Sequence, residues 1–326
     1  MGEVDIRTNE YMRDNEHFAD VFNYFLFDGQ RVIEPENLHE LDRSAAVFSF
    51  GPKSGKASVL EKSRDVVKSA VVKSDGTTTY QLLGVENQTN VHYAMPVRNM
   101  LYDAISYTNQ VDAIAVRNRK GSKEGLTGAE FLSGFTKEDH LYPVITLVLY
   151  WSPDFWDGPH SLHEMLEPGN DDILKFVSDY RLNILSPADI PKSGFKKFTS
   201  PISEVFQYIQ GSADKEELNR ILQENPNFRH LDRESAELIN AVTKSDLRFE
   251  EGEETIDMCT AIQQMRDESV SFGMKEGRKE GREEGMDDMA VVIQRLYDSG
   301  RTGDMQRALT DRDYLDQLIA EFCGKK

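Results

Sequence analysis

The sequence predicts a mixed α/β domain, in which helices flank a sheet, followed by an α-helical C-terminal region. Residues 63–89 have the composition and the turn signal of a β-hairpin, and residues 143–151 form one continuous apolar segment of strand length. Amphipathic helical patterns precede, separate and follow these strand candidates. Strands that alternate with helices in this way are typical of a sheet whose faces are covered by helices.

Composition narrows the classes of function. The 326 residues include 38 Lys and Arg against 57 Asp and Glu, a net charge of −19, which is the wrong sign for binding nucleic acid by overall charge. No apolar run approaches the roughly 18 residues of a membrane span, so we expect no membrane partner, and the polar N-terminus lacks the pattern of a signal peptide. Cys259 and Cys323 lie far apart and predict a reducing, cytoplasmic location without a disulfide framework or a zinc site.

Residues 14–27 have the pattern of the first amphipathic helix, with Asp14 or Asn15 as its N-cap. Glu16 and Asp20 lie one turn apart on a side of this helix that is not its apolar stripe. That side either faces solvent or adds a carboxylate to an acidic site. The apolar stripe consists of Phe18, Val21, Phe22, Phe25 and Leu26.

The dipeptide Asp75-Gly76 marks a tight turn in the hairpin, between two segments that read as strands. Counting outward from this turn places Asp65 directly opposite Glu86, on the same face of the hairpin. Gln88 lies two residues beyond Glu86 and therefore points the same way. A bulge at Gly84 would shift this register, because glycine inside a strand often marks a bulge.

The predicted pair of Asp65 and Glu86 suggests a metal site. Two carboxylates side by side repel each other by up to about 1 kcal/mol when exposed, and a divalent cation reverses the sign of that interaction. Mg²⁺ takes oxygen ligands and usually only one or two protein carboxylates, so we expect Mg²⁺, or Mn²⁺ in its place. The alternative is that both acids are simply solvated at a strand end.

After the hairpin, Pro96 predicts the first turn of a helix that runs to about Gln110. Its expected inward residues are Val97, Met100, Leu101, Ala104 and Ile105. A basic segment, residues 117–123, begins a polar stretch that follows this helix. Contact with a phosphate backbone would have to come from local basic residues, and solvated surface charges are the alternative. The best candidates are Arg98, Arg117, Arg119 and Lys120.

Three regions are expected along the chain: residues 1–210 as the α/β domain, residues 211–256 as a helical extension, and residues 257–326 as a helical, charged tail. In the tail, glycine recurs every four residues and aligns on one helix face. That face either pairs with a second copy of the chain, which gives a homo-oligomer, or the segment is a flexible linker. The recurring glycines are Gly277, Gly281 and Gly285. The remaining predicted elements are a strand at 180–185 and helices at 202–209, 216–223 and 233–243.

Several segments, in this order, resemble the Rpn family of recombination-promoting nucleases and transposases, a branch of the PD-(D/E)XK nuclease superfamily. The segments are DNEHFADVFN near the start, SRDVV and LLGVENQTN in the hairpin, MPVRNMLYDAISY after it, YPVITLVLYW in the apolar strand and EGRKEGREEG in the tail. Together they span nearly the whole chain. Their order and spacing, more than any one motif, carry the resemblance.

The resemblance implies a restriction-endonuclease-like core, with a mixed sheet flanked by helices, and Mg²⁺-dependent hydrolysis of DNA phosphodiester bonds. It also implies that Asp65 and Glu86 hold the metal, that Glu16 or Asp20 adds a further acid, and that Gln88 stands where the superfamily most often has lysine. A lysine there would stabilise the attacking hydroxide and the transition state by its charge, whereas Gln88 can only hydrogen-bond and orient the water.

Two functions remain open from the sequence. The first is a metal-dependent DNA endonuclease linked to recombination or mobile elements. The second is a catalytically weak or inactive nuclease-fold scaffold that acts in oligomerisation or protein interaction. Gln88, the acidic net charge and the glycine-periodic tail favour the second function.

Overall fold

The computed structural model divides the chain into two compact units, Met1–Ala261 and Ile262–Lys326. The boundary lies inside one long helix, a few residues after the predicted start of the tail. The region predicted as a helical extension is part of the first unit. The structure describes residues 2–41, 44–50, 57–63, 65–74, 77–120, 126–167, 169, 171–250 and 252–324.

The first unit contains a five-stranded mixed sheet. Its strands, with those of two smaller ladders, are β1 (Leu38–Glu40), β2 (Ser44–Phe50), β3 (Ala57–Ser63), β4 (Val66–Ser74), β5 (Thr77–Gln88), β6 (Val144–Tyr150), β7 (Asn183–Leu185), β8 (Leu231–Asp232) and β9 (Thr255–Ile256). In the sheet, β1 pairs with β4 and β4 with β5 in antiparallel fashion, while β5 pairs with β6 and β6 with β7 in parallel. β2 pairs with β3, and β8 with β9, in separate two-stranded ladders. The predicted mixed sheet is confirmed.

Helices cover both faces of this sheet. Those of the first unit are α1 (Glu3–Arg13), α2 (Asn15–Phe27), α3 (Met95–Lys120), α4 (Gly128–Ser133), α5 (Asp171–Leu174), α6 (Ile202–Gly211), α7 (Lys215–Glu224) and α8 (Arg233–Thr243). On one face, Met95 of α3 packs against Val148 and Tyr150 of β6. On the other face, the ring of Trp151 lies 5.4 Å from the ring of Phe206 in α6. The sheet is therefore the central layer of the unit.

β6 is the buried strand that the continuous apolar run predicts. Its neighbours Leu147 and Val148 point to opposite faces of the sheet, and both side chains are 0% exposed. Because β5 and β6 are parallel, Glu86 lies beside Val148 and Gln88 lies beside Tyr150. Both β5 residues therefore belong to the face that α3 covers.

Most of the predicted helices are also confirmed. The helix predicted at residues 14–27 is α2, and Asp14 is its N-cap, since its carboxylate accepts hydrogen bonds from the backbone N–H groups of Glu16 and His17. α1 precedes it and was not predicted. α6, α7 and α8 match the three helices predicted towards the end of the unit, and β7 lies within the strand predicted at residues 180–185.

α3 differs from its prediction in length and in the face that it buries. It continues to Lys120 rather than ending near Gln110, so the first basic residues of the predicted polar segment form its last turn. Val97, an expected inward residue, is 42% exposed. The apolar pattern was misleading because a polar residue, Asn99, lies on the buried face. The buried residues of the first two turns are Met95, Pro96, Asn99 and Tyr102.

The second unit is helical. Its helices are the C-terminal part of α9 (Met258–Asp298), α10 (Thr302–Ala308) and α11 (Arg312–Cys323). Apolar side chains from these helices form a small core of Val292, Leu296, Ala308 and Leu318. The glycine-periodic segment is helical throughout, so the flexible-linker alternative is wrong for it. A Cβ placed on Gly277, Gly281 or Gly285 would meet no described atom within 4 Å. Among all described helices, none has both the length and the apolar character needed to cross a bilayer.

Candidate active site

The hairpin of β4 and β5 has the register that the sequence predicts. Val67 pairs with Gly84 in an unbroken ladder, so the glycine introduces no bulge. The predicted turn, Asp75-Gly76, lies outside the described residues. Asp65 directly precedes the first paired residue of β4, and Glu86 directly follows that residue's partner in β5. The two acids therefore lie next to each other at the end of the ladder.

Glu86 is fully buried, and its charge is balanced by an arginine from α3. The Arg98 Nη2 atom lies 3.0 Å from Glu86 Oε2. Arg98 Nε also donates a hydrogen bond to the Tyr102 hydroxyl, one turn later in α3, at 3.2 Å. Burial alone would lower the pKa of Arg98, but the Glu86 charge and the Tyr102 hydroxyl outweigh it, and the pKa is raised. Arg98 therefore stays charged and neutralises Glu86.

Asp65 lies at the open end of the strand and is only partly buried. Its Oδ2 accepts a hydrogen bond from the backbone N–H of Asn87 at 2.8 Å. Burial raises the pKa of the Asp65 carboxyl above its ordinary value, although the Asn87 N–H and the nearby Arg98 charge act in the opposite direction. The folded chain therefore favours the protonated form of Asp65 more than an exposed aspartate does.

Two asparagines join the site to α1, and sequence reasoning missed both. The Asn87 side chain donates from Nδ2 to Asn9 Oδ1 at 2.8 Å, and its Oδ1 accepts from Trp151 Nε1 at 2.9 Å. Asn9 also hydrogen-bonds the Asp65 carboxylate. The available signal for Asn87 was its place between Glu86 and Gln88 in the segment GVENQ, whereas no local pattern marks Asn9. Position 87 fixes the strand end to α1, while its neighbours belong to the α3 face.

Gln88 is half-buried and lies on the same face as Glu86, one pleat further along β5. Lys68 of the hairpin does not reach this face. Lys68 pairs with Leu83, as predicted, and is 1% exposed on the opposite face. There its Nζ donates to Asn15 Oδ1 at 2.6 Å, and burial lowers the pKa of the ammonium to about 8. Lys68 thus holds the junction of α1 and α2 rather than the site.

The two acids suggested from the helix predicted at residues 14–27, which is α2, have different surroundings. Glu16 is exposed in the first turn of α2. Asp20 is 4% exposed. The alternative that this side of the helix faces solvent is therefore wrong for Asp20. Its carboxylate accepts hydrogen bonds from the backbone N–H groups and the hydroxyls of Thr199 and Ser200. The structure therefore assigns Asp20 to anchoring α2 on the segment before α6, and the acid from α1 that acts on the Asp65 pKa is Asp5.

The other basic candidates lie at the far end of α3. Arg119 and Lys120 are exposed in its last turn, and Arg117 forms an ion pair with Asp139 at 2.6 Å. Arg98 and Arg117 are nineteen residues apart in one helix, which corresponds to about 28 Å at a rise of 1.5 Å per residue. Of the four basic candidates, only Arg98 contacts the acid pair.

The arrangement combines two carboxylates and one guanidinium, with a net charge of −1. Carboxylate oxygens suit a hard divalent cation, and a guanidinium suits a phosphate group. In the part of the chain that the structure describes, no group of three or more His, Cys, Asp or Glu side chains is placed to hold a metal ion. A cation bound at Asp65 and Glu86 would complete its coordination with carbonyl oxygens or water, as Mg²⁺ commonly does.

Comparison with known proteins adds no constraint to this site. No protein-family model, no curated protein and no solved structure matches the chain significantly.

Proposed function

We propose that the first unit is a divalent-metal-dependent DNA endonuclease with a restriction-endonuclease-like core. The observation that carries the proposal is the position of Asp65 beside Glu86, at the end of a hairpin whose second strand pairs in parallel with the buried strand β6. A fully buried carboxylate beside a second carboxylate is unfavourable unless positive charge balances both, and the Arg98 guanidinium brings one positive charge to two acids. Paired acids with perturbed pKa values cluster at functional sites.

The residues present fit Mg²⁺ or Mn²⁺. Asp65 and Glu86 would hold the ion through carboxylate oxygens, and the half-buried Gln88 amide on the same face would orient a water molecule. When bound, the ion polarises the phosphodiester and lowers the pKa of a coordinated water. Arg98 has two roles in this proposal: it neutralises Glu86 in the metal-free protein, and its guanidinium contacts a phosphate oxygen of DNA when the ion takes that carboxylate.

The test is nicking of supercoiled plasmid by the full-length protein with Mg²⁺ or Mn²⁺. We expect cleavage by the wild type and loss of cleavage in Asp65→Ala and in Glu86→Ala. Glu138→Gln is the matched control, since it removes one exposed carboxylate of the same unit outside the site. Full cleavage by both alanine variants would show that the site is misassigned.

A nuclease-fold scaffold without efficient chemistry is the second candidate. Two observations favour it: Arg98 already provides Glu86 with a positive charge, and α9 exposes large apolar side chains. Those that are more than half exposed are Val270, Phe272, Met274, Met286 and Tyr297. In this proposal α9 pairs with a second copy of the chain. Absence of Mn²⁺ binding between micromolar and millimolar concentrations, measured by calorimetry, would favour the scaffold over the nuclease.

A further inference from the structure

Asn99 is a polar side chain whose burial has no explanation within the chain. It is 0% exposed, and neither its Nδ2 nor its Oδ1 has a hydrogen-bond partner among the described residues. The large majority of buried side-chain polar atoms in folded proteins have such partners, because an unsatisfied one destabilises the fold. A hydrogen-bond partner that becomes available when a ligand binds would account for a buried amide at this position.

The surroundings of Asn99 follow from its neighbours on the same face of α3. Met95, one turn earlier, packs against Val148. Asp103, one turn later, accepts a hydrogen bond from the Thr146 hydroxyl at 2.6 Å. Asn99 therefore lies over β6 between these two contacts. β5 is the next strand of the sheet.

The residue of β5 at this level is Glu86, which pairs with Val148. The residue before Asn99 in α3 is Arg98, which reaches the Glu86 carboxylate. Asn99 thus lies in the layer between α3 and the sheet, one residue along α3 from the arginine that reaches the buried acid of the candidate site.

We propose that Asn99 is a positioning residue for Glu86. This inference rests on the proposed metal site. When a divalent cation replaces the Arg98 guanidinium at Glu86, the Asn99 amide donates a hydrogen bond to that carboxylate and fixes its orientation. Carboxylates that bind metals are themselves held by hydrogen bonds, and removing such a partner typically weakens metal binding about ten- to hundredfold. The unpartnered Asn99 amide is a donor available for this purpose in a buried layer.

The test measures Mn²⁺ affinity by calorimetry on the full-length protein, without DNA, for the wild type, Asn99→Leu and Thr146→Val. Asn99→Leu removes the amide at similar volume. We expect it to weaken Mn²⁺ binding about ten- to hundredfold and to leave the thermal unfolding midpoint unchanged or higher, because no partner is left unsatisfied. Thr146→Val removes a buried hydroxyl from the same face of the sheet, beneath α3, and should leave the Mn²⁺ affinity unchanged.

The outcomes separate this inference from the proposed function. Mn²⁺ binding by the wild type that is lost in Glu86→Ala but unchanged in Asn99→Leu overturns the role of Asn99 and keeps the metal site. No Mn²⁺ binding by the wild type overturns both. If Asn99→Leu does not fold, Asn99→Ala removes the same amide without adding volume, and the same affinities decide.

Discussion

The Arg98 guanidinium lies 3.0 Å from the Glu86 carboxylate, so the helix after the hairpin supplies a positive charge that sequence reasoning assigned to a metal ion alone. The Tyr102 hydroxyl accepts a hydrogen bond from the Nε of the same guanidinium. Arg98 and a divalent cation would therefore compete for one carboxylate. The properties of the metal-free protein and of the metal-bound protein should differ accordingly.

Replacing Arg98 tests this competition. We expect Arg98→Met to destabilise the metal-free protein by about 3–5 kcal/mol, because the buried Glu86 charge loses its ion-pair partner. Added Mn²⁺ should then stabilise Arg98→Met more than it stabilises the wild type. The measurement is urea unfolding with and without Mn²⁺. The double variant Arg98→Met/Glu86→Gln, which removes both charges, should recover stability, and a single variant as stable as the wild type would contradict the competition.

Asp65 should link stability to pH. Burial raises the pKa of this carboxyl in the folded chain, so the folded state binds more protons than the unfolded state above the ordinary aspartate pKa of about 3.9. The free energy of unfolding therefore falls as the pH rises from that value through the raised pKa. We expect Asp65→Asn to lose this decline and to be more stable than the wild type at neutral pH, while it loses metal affinity. Parallel urea-unfolding profiles for the two proteins between acid and neutral pH would argue against it.

In the proposed nuclease site, Gln88 is the position where a lysine would add positive charge. If the amide orients the attacking water, Gln88→Ala should lower the rate of plasmid nicking, and Gln88→Lys should raise it by about tenfold or more, since a single transition-state donor is worth about 10²–10³ in rate. The comparison needs saturating Mn²⁺, so that the added positive charge acts on the chemical step and not on metal affinity. A lysine variant slower than the alanine variant would mean that position 88 does not face the reacting phosphate.

Lys68 should produce the opposite pH dependence at alkaline pH. Burial lowers the pKa of its ammonium from 10.5 to about 8 in the folded chain, so between these two values the unfolded state binds more protons. The free energy of unfolding should rise with pH across this interval, by at most about 3 kcal/mol. Lys68→Met should remove that rise. Chemical unfolding of both proteins at several alkaline pH values measures the difference in slope, and equal slopes would refute the depressed pKa.

The glycine face of α9 can be tested without shortening the chain. Replacing Gly277, Gly281 and Gly285 by alanine should stabilise the helix by up to about 1 kcal/mol at each position. If two copies pair through this face, the added methyl groups hold the backbones apart and the mass in solution falls. Sedimentation gives the mass, and circular dichroism gives the helix content. A wild type that is already monomeric, or a triple variant of unchanged mass, would exclude pairing through the glycines.

The main features of the hairpin could be predicted from the sequence because they depend on local chemistry. Strand-forming composition and a strong turn signal predict the register, and the register alone brings Asp65 next to Glu86. The apolar run of β6 likewise identifies a buried strand. These signals lie within ten or so neighbouring residues, which is the range over which periodicity is informative.

The rest of the site depends on contacts between distant segments. Asn9 and Asn87 are 78 positions apart, and Asp20 meets Thr199 and Ser200 across most of the unit. No periodicity records such contacts. The inward face of α3 was misjudged for a related reason: it carries Asn99 and Asp103, and a pattern search treats polar residues as exposed. Asp103 is explained by the Thr146 hydroxyl that faces it, whereas the buried Asn99 amide has no hydrogen-bond partner among the described residues.

The length of α3 sets a scale for any nucleic acid that the unit engages. Arg98 at one end and the basic turn at the other are held about 28 Å apart by a single helix, which is the length of about eight base pairs of duplex at 3.4 Å each. A duplex lying along the helix has to exceed that length before both ends can touch it. In the proposed nuclease, duplexes shorter than about eight base pairs would contact the Arg98 end of α3 alone, while longer ones would also contact Arg119 and Lys120.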